Sequence, residues 1–422
     1  MTTASTLAFG GLAAACAPQT GAGPSTAVPT TRTTAARMRR AAKIGPVADR
    51  MLVLVELQGG NDGLNTVIPH TDPLYARLRP GLAIAGNEII SLDGGLGFHP
   101  ALAPLAAVYE AGELKIVNSV GYPKPNRSHF RSIEIWEQAT PSDQYASEGW
   151  ITRALDEHPD LSKRAADADA IVVGIGNIGP LAGPGTRLVN MREPRQFLAQ
   201  SEAMAAISGR ADTTPALRHI VRTQNEAASA ADAVRRKFTG RERFPRQFAG
   251  DPFSRSLSIV ANLIADGVDI PVWKVTLGSF DTHADQRPRH ARLLTNLGSG
   301  LSAFRAAMIQ LGRWDDTLVV TYSEFGRRVA ENLSRGTDHG TAAPLFMLGG
   351  GVDGGIAGAA PDLVDLDAGD LKARVDFRQV YAGIIAGWWG QPDNFLARQG
   401  FSALPVLRRS TAETGAAQQK AL

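Results

Sequence analysis

Met51-Leu52-Val53-Leu54-Val55, continued by Glu56-Leu57-Gln58-Gly59-Gly60-Asn61-Asp62-Gly63-Leu64-Asn65, decides the fold class of this chain. An unbroken apolar run of strand length is the mark of a strand covered on both faces, as in a parallel sheet. The glycines after it permit tight turns and bring main-chain N–H groups close to whatever binds at the strand end. Similar short runs recur downstream at 114–120, 170–174, 272–277, 317–322 and 344–348. Helical patterns lie between them, at 101–109, through Ile133, Trp136 and Glu137, from Ser256 to Ala265, at 291–312 and at 376–389. This alternation predicts an α/β fold with a mostly parallel central sheet and helices on both faces. No internal repeat is visible.

In open sheets of this kind, chemistry gathers at the carboxyl ends of the strands. Two Asp/His clusters fall at such ends: Asp281-Thr282-His283, after the strand Val272–Leu277, and Thr337-Asp338-His339-Gly340, just before Pro344–Leu348. With Asp62 after the first strand and Glu324 after Thr317–Tyr322, they offer the mixed oxygen and nitrogen donors that Zn or Mn accepts. The competing reading of each lone carboxylate is a helix cap or an Asx-turn. Shared placement at strand ends favours metal binding. Ser128, in Asn126-Arg127-Ser128-His129-Phe130, sits at the start of a predicted helix. It is the candidate nucleophile there, or simply the helix cap. Arg127 could clamp phosphoryl or sulfuryl oxygens through its planar fork. His129 could be a ligand, a proton donor or a structural histidine, and His99 is equally open. Asn61 and Asn65 could orient ligands or substrate. Arg327-Arg328 reads as oxyanion contacts or as solvated surface. The glycine-rich loop lacks the spacing of a dinucleotide or phosphate-binding loop.

Composition narrows the field further. The chain has 422 residues, 44% of them hydrophobic, only 6% aromatic, with 44 glycines, which suits a loop-rich α/β enzyme. Lys and Arg number 44 against 41 Asp and Glu, a formal charge of +3, so bulk electrostatics makes no case for nucleic acid or for an anionic membrane surface. No apolar stretch reaches the roughly 18–20 residues of a transmembrane helix. Residues 1–16 read as the remnant of an export signal: Leu7–Ala15 is short and apolar, and Leu12-Ala13-Ala14-Ala15-Cys16 resembles a lipobox, with Ala13 where Leu or Val is commoner. The alternative is an Ala-rich stretch with an incidental Cys. The basic segment expected ahead of it, as in a twin-arginine leader, is missing, which places the expected start codon upstream. Arg39-Arg40 follows the apolar run and cannot serve. Cys16 is the only cysteine, so no intrachain disulfide can form. Residues 17–45 read as a disordered tether, 46–405 as the folded domain, 198–240 as a helical insertion or cap within it, and 406–422 as a flexible tail.

The motifs Leu57–Asn65, Arg127–Phe130, Glu148-Gly149-Trp150, Phe280–His283, Ser323–Arg327 and Thr337–Gly340 together resemble a bacterial family of exported proteins, domain of unknown function 1501, grouped with the alkaline phosphatase/sulfatase superfamily. The resemblance runs from about residue 50 to 395. It implies an alkaline phosphatase-like α/β/α sandwich with one or two divalent ions at the strand ends. Asp62 would match the first metal-binding Asp, Ser128 the nucleophile, and Asp338-His339 the metal-binding pair. Asp281 and His283 stand closer together than that superfamily usually spaces them. No His follows His339, where two-zinc members place a late ligand. The expectation is an exported, periplasmic or cell-envelope, metal-dependent hydrolase of phosphate or sulfate esters. It would act on a small-molecule or polysaccharide ester, and meet the membrane only through a lipid on Cys16. The alternative is a non-catalytic cell-envelope binding protein on the same fold.

Overall fold

The computed structural model describes residues 43–163, 167–184, 186–205 and 229–408. The expected leader, Cys16, most of the tether, the centre of the 198–240 segment and residues 409–422 lie outside the described residues.

Nine strands form one sheet: β1 Met51–Leu57, β2 Leu114–Gly121, β3 Ala170–Val173, β4 Leu188–Met191, β5 Val272–Leu277, β6 Thr317–Tyr322, β7 Ala343–Leu348, β8 Gly355–Ala357 and β9 Val375–Asp376. Their order is β8-β2-β7-β6-β1-β5-β3-β4, with β9 also pairing with β2. Every pairing is parallel except those of β7, which runs antiparallel to both β2 and β6. β1 is central and all seven of its residues are buried.

The alternation of β1 side chains builds a sandwich. Met51, Val53, Val55 and Leu57 join one core, with Phe253, Leu257 and Val260 of helix Pro252–Ala265 and Leu294, Leu297 and Leu301 of helix Gln286–Gln310. Leu52 and Leu54 join a second core on the opposite face, with Ile135 and Trp136 of helix His129–Gln138, Trp150 of helix Trp150–Glu157, and Tyr381 of helix Phe377–Gly383. Each fully buried large apolar side chain contributes roughly 1.5–3 kcal/mol. The two covered faces therefore explain why β1 reads as an unbroken apolar run. The fold is the predicted α/β/α sandwich around a mostly parallel sheet. The helical pattern at 376–389 divides into an α-helix, Phe377–Gly383, and a π-helical turn, Ile384–Trp388. No helix among the described residues is long and apolar enough to cross a membrane.

A buried ionic cluster interrupts the second core. Lys274 Nζ donates to Glu56 Oε2 at 2.6 Å, to the Asn177 carbonyl at 2.9 Å and to Asn177 Oδ1 at 3.1 Å, and both charged side chains are essentially solvent-free. Beside them, burial pushes the Glu137 carboxyl up to about 8, with Lys274 pulling it down and Glu56 pushing it up. A raised carboxyl binds its proton more tightly in the folded than in the unfolded chain. Glu137 thus contributes stability that is full below its unfolded pKa, near 4.5, and is lost as pH rises toward about 8. Urea denaturation between pH 5 and 8 should show this decline, and Glu137→Gln should flatten it. An unchanged pH slope in the variant would contradict the assignment.

Candidate metal centre

The carboxyl ends of β1, β2, β5 and β6, with the chain entering β7, carry the site. Two loops meet first. Gly59 and Gly60, at φ 115° and 79°, turn the chain leaving β1. A Cβ on Gly59 would collide with the backbone of Phe280 and Asp281, and one on Gly60 with the Phe325 ring. Only glycine lets these loops close on each other.

Arg327 fastens the junction. Its guanidinium is fully buried and donates to the carbonyls of Gly60 (2.7 Å), Phe280 (3.1 Å), Thr337 (2.9 Å) and Gly59, and to Asp281 Oδ1 at 2.6 Å. The loops after β1, β5 and β6 and the one before β7 are thus held by one side chain. Its role is that of a clamp on main chain, neither the solvated surface nor the free oxyanion contact the sequence suggested.

Around Asp281 stand three imidazoles. His283 Nε2 lies 2.9 Å and His339 Nε2 3.3 Å from Asp281 Oδ1, and His129 Nε2 lies 3.5 Å from Oδ2. The Nε2 atoms of His283 and His339 are 3.0 Å apart. One ligand atom each from His129, Asp281 and His339 fall within 4.8 Å of one another. Each ring is held from behind at Nδ1: His129 by Glu324 Oε1 (2.8 Å), His339 by the Arg127 carbonyl (2.8 Å) and His283 by Asp338 Oδ1 (3.2 Å). A proton placed on Nδ1 by such an acceptor leaves the Nε2 lone pair facing the cluster, the pattern that orients metal-binding histidines. His129 Nε2 is buried and makes no hydrogen bond. These donors fit a divalent ion.

The same contacts set the electrostatics of the cluster. Burial opposes ionisation of Asp281, yet the Arg327 guanidinium and the neighbouring imidazoles hold its carboxyl below the ordinary carboxylate range. The Glu324 carboxylate raises His129 above the ordinary imidazole value, whereas burial lowers His339. The bond from Asn332 keeps Asp338 low.

Other predicted residues fall elsewhere. Glu324 is buried behind His129 and also accepts the Gly59 N–H at 2.8 Å, so it orients a donor and stands outside the donor group. Asp338 faces the outer edge, between His283 and Asn332. Asp62 does not join the Asp281 group. It is fully buried, paired with Arg79 at 2.6 Å, and accepts from Gln286 Nε2. Gln286 Oε1 in turn accepts from Thr282 (3.0 Å) and Thr337 (2.6 Å), the threonines of the two Asp/His motifs. Asp62 therefore positions both motifs through Gln286. Asn61 Oδ1 accepts from His290 (2.9 Å) and Thr66 (3.1 Å). Asn65 bonds Leu82, Tyr75 and Arg79. Both asparagines are spent inside the protein, away from any substrate. His99 is buried and accepts the Ala101 N–H, a structural histidine whose pKa burial lowers to about 4.

Ser128 is the N-cap residue of helix His129–Gln138, is exposed, and its hydroxyl makes no capping bond. It is flanked by Arg127, whose carbonyl holds His339, and by His129 itself. The Arg127 guanidinium is paired with the buried Asp370. Sequence reasoning missed Arg79, Gln286, His290 and Asn332. Nothing in their local pattern sets them apart, because each acts by bonding a motif residue distant in sequence: Arg79 and Gln286 bond Asp62, His290 bonds Asn61, and Asn332 bonds Asp338.

Similar solved structures include "Ps i-CgsB in complex with k-i-k-neocarrahexaose" (12% identity, 84% of this chain and 74% of that one, TM-score 0.38). They also include the Zn-bound C-terminal periplasmic domain of EcEptC from Escherichia coli (11%, 73% and 75%, 0.35) and a protein in the alkaline phosphatase superfamily from Vibrio parahaemolyticus (11%, 80% and 73%, 0.35). No curated protein matched in sequence. The family profile for "Protein of unknown function (DUF1501)" matches residues 49–385, and the chain belongs to that family.

Proposed function

We propose that this chain is a metal-dependent hydrolase of phosphate or sulfate esters. The observation that carries the reading is the convergence of His129, His283 and His339 on Asp281, each ring held at Nδ1 by its own acceptor. A nitrogen-rich set of this kind favours Zn, with Mn next. When bound, the cation supplies positive charge that offsets the negative charge of a phosphoryl or sulfuryl group.

The chain's own residues do the rest. The first turn of helix His129–Gln138 presents free N–H groups and the positive end of a helix dipole, with no acidic residue in that turn to neutralise it. Ser128 Oγ, which makes no capping bond, attacks the phosphorus or sulfur while the N–H groups receive the anion; the bond to the alcohol oxygen breaks, the alcohol leaves with the serine proton, and water then cleaves the seryl ester to restore the serine. Asp370 holds Arg127 alongside. Glu324, bonded at Nδ1, orients the His129 ring so that Nε2 faces the cluster. Export through an N-terminal leader, with or without a lipid on Cys16, and a polysaccharide or small-molecule ester as substrate belong to the same proposal.

The binding-protein reading keeps one specific support. Arg327 already lies 2.6 Å from Asp281 Oδ1, where a fixed guanidinium supplies a positive charge of its own. Elemental analysis separates the two readings. Purified chain should carry a stoichiometric divalent ion, and His129→Ala/His339→Ala should lose it while keeping its melting temperature within a few degrees. In ester screens, Ser128→Ala should keep the ion and lose at least about a hundredfold in turnover, the scale set by loss of an activated nucleophile. Folded wild-type chain that takes up no Zn or Mn would end the hydrolase reading.

A further inference from the structure

A cavity adjoins the cluster along the same end of the sheet. It has a volume of about 840 Å³ and opens over the carboxyl ends of β3 and β5, with Gln58, Gly278 and Ser279 on its wall. Gln58 links it to the cluster: its carbonyl accepts the N–H of Phe280, the residue before Asp281, at 3.0 Å. Ser279, two residues from Asp281, is held at φ 79°, a conformation a non-glycine residue adopts at a cost.

Two features of this cavity have no structural explanation in the fold. The first is charge. Five arginines line it, Arg192, Arg195, Arg241, Arg255 and Arg292, against the carboxylates Glu193, Glu242 and Asp251. Asp251 is spent capping helix Pro252–Ala265 through the Ser254 N–H at 3.0 Å. Arg192, Arg241 and Arg292 are exposed, and among the described residues their guanidinium groups have no hydrogen-bond or ion-pair partner. The second is apolar surface. Ile175 is 70% exposed at the end of β3, with the half-buried Ile259 also on the wall. An exposed branched aliphatic side chain beside unpaired guanidinium groups is a surface for a ligand that is part apolar and part anionic.

We propose that the cavity binds the body of an amphipathic anion. The apolar part packs on Ile175, and a negatively charged group distinct from the reacting ester is held by Arg192, Arg241 and Arg292. This deepens the hydrolase reading by naming its substrate class, an ester with an apolar portion and a second anionic group, and rests on that reading for the reacting centre alone.

The test is calorimetric titration of the full chain with decane-1-sulfonate below its micellar range, a probe that no hydrolase can turn over. Inorganic sulfate and decyl maltoside serve as half-probes. The sulfonate should bind one to one, and each half-probe at least tenfold more weakly. Arg192→Gln/Arg241→Gln/Arg292→Gln and, separately, Ile175→Asn should each weaken the sulfonate at least tenfold with melting temperature unchanged. His129→Ala/His339→Ala should bind it as wild type does. Sulfate binding as tightly as decanesulfonate, decyl maltoside doing so, or the triple arginine variant keeping full affinity would each overturn the proposal. Loss of binding in the histidine variant would overturn it as well, placing the probe at the cluster. Metal without sulfonate binding refutes this proposal and leaves the hydrolase reading standing. Sulfonate binding without metal does the reverse.

Discussion

Arg327→Ala should lower the unfolding free energy by at least about 3 kcal/mol, the sum of several buried acceptors left unpaired at roughly 1–3 kcal/mol each, reduced by water entering the gap. The side chain is fully buried and serves the carbonyls of Gly59, Gly60, Phe280 and Thr337 as well as Asp281. The Phe280 carbonyl keeps the Thr282 N–H at 2.8 Å, but those of Gly59 and Gly60 have no place to go, because their turns are already packed against Phe280 and Phe325. Arg327→Lys should recover less than half of the loss. A single ammonium cannot span acceptors that a planar fork reaches together. Urea unfolding of the three proteins, with Zn uptake measured in parallel, reads both consequences. Since Arg327 also fixes Asp281, even Arg327→Lys should bind metal more weakly than wild type. If Arg327→Ala unfolds within about 1 kcal/mol of wild type, the loops are held by something else.

How far the sequence led to this site follows from the same residues. The strands were legible because β1, β5 and β6 lie between two covered faces, and burial on both sides leaves a continuous apolar run. The placement of Asp281, His283 and His339 was legible because strand ends are where such sheets carry polar loops. What was illegible is the direction each side chain takes. Asp62 stands at a strand end just as Asp281 does, yet Arg79, 17 residues later, turns it into the interior. Glu324 and His129 are 195 residues apart in sequence, and which of them faces the cluster depends on a packing contact that local pattern does not encode. The antiparallel entry of β7 was likewise hidden. Its run Pro344–Leu348 is as apolar as its parallel neighbours, and strand direction leaves no trace in hydrophobicity.

Lys274→Met should cost about 3–5 kcal/mol, the penalty for leaving a buried charge without its partner. The ammonium is fully buried in the middle of β5. Its removal takes the donor from both oxygens of Asn177 and leaves the Glu56 carboxylate without a cation, with Thr276 Oγ1, at 3.2 Å, its one remaining donor among the described residues. The double variant Glu56→Gln/Lys274→Met removes both charges and should return most of the loss, because a buried ion pair contributes little net stability over neutral groups of similar volume. Thermal and urea unfolding of wild type, the Lys274 single variant and the double variant measure the coupling directly. The functional consequence separates this pair from Arg327. Lys274 holds Asn177, which follows the cavity residue Ile175 by two positions, and touches none of the cluster donors. The single variant should therefore weaken decanesulfonate binding at temperatures where it is still folded, and leave Zn stoichiometry intact. A Lys274→Met protein as stable as wild type would mean that the buried pair is not what holds this part of the second core. A folded one that loses Zn would mean that the second core and the metal centre are mechanically one unit, contrary to the separate bonding networks that hold them.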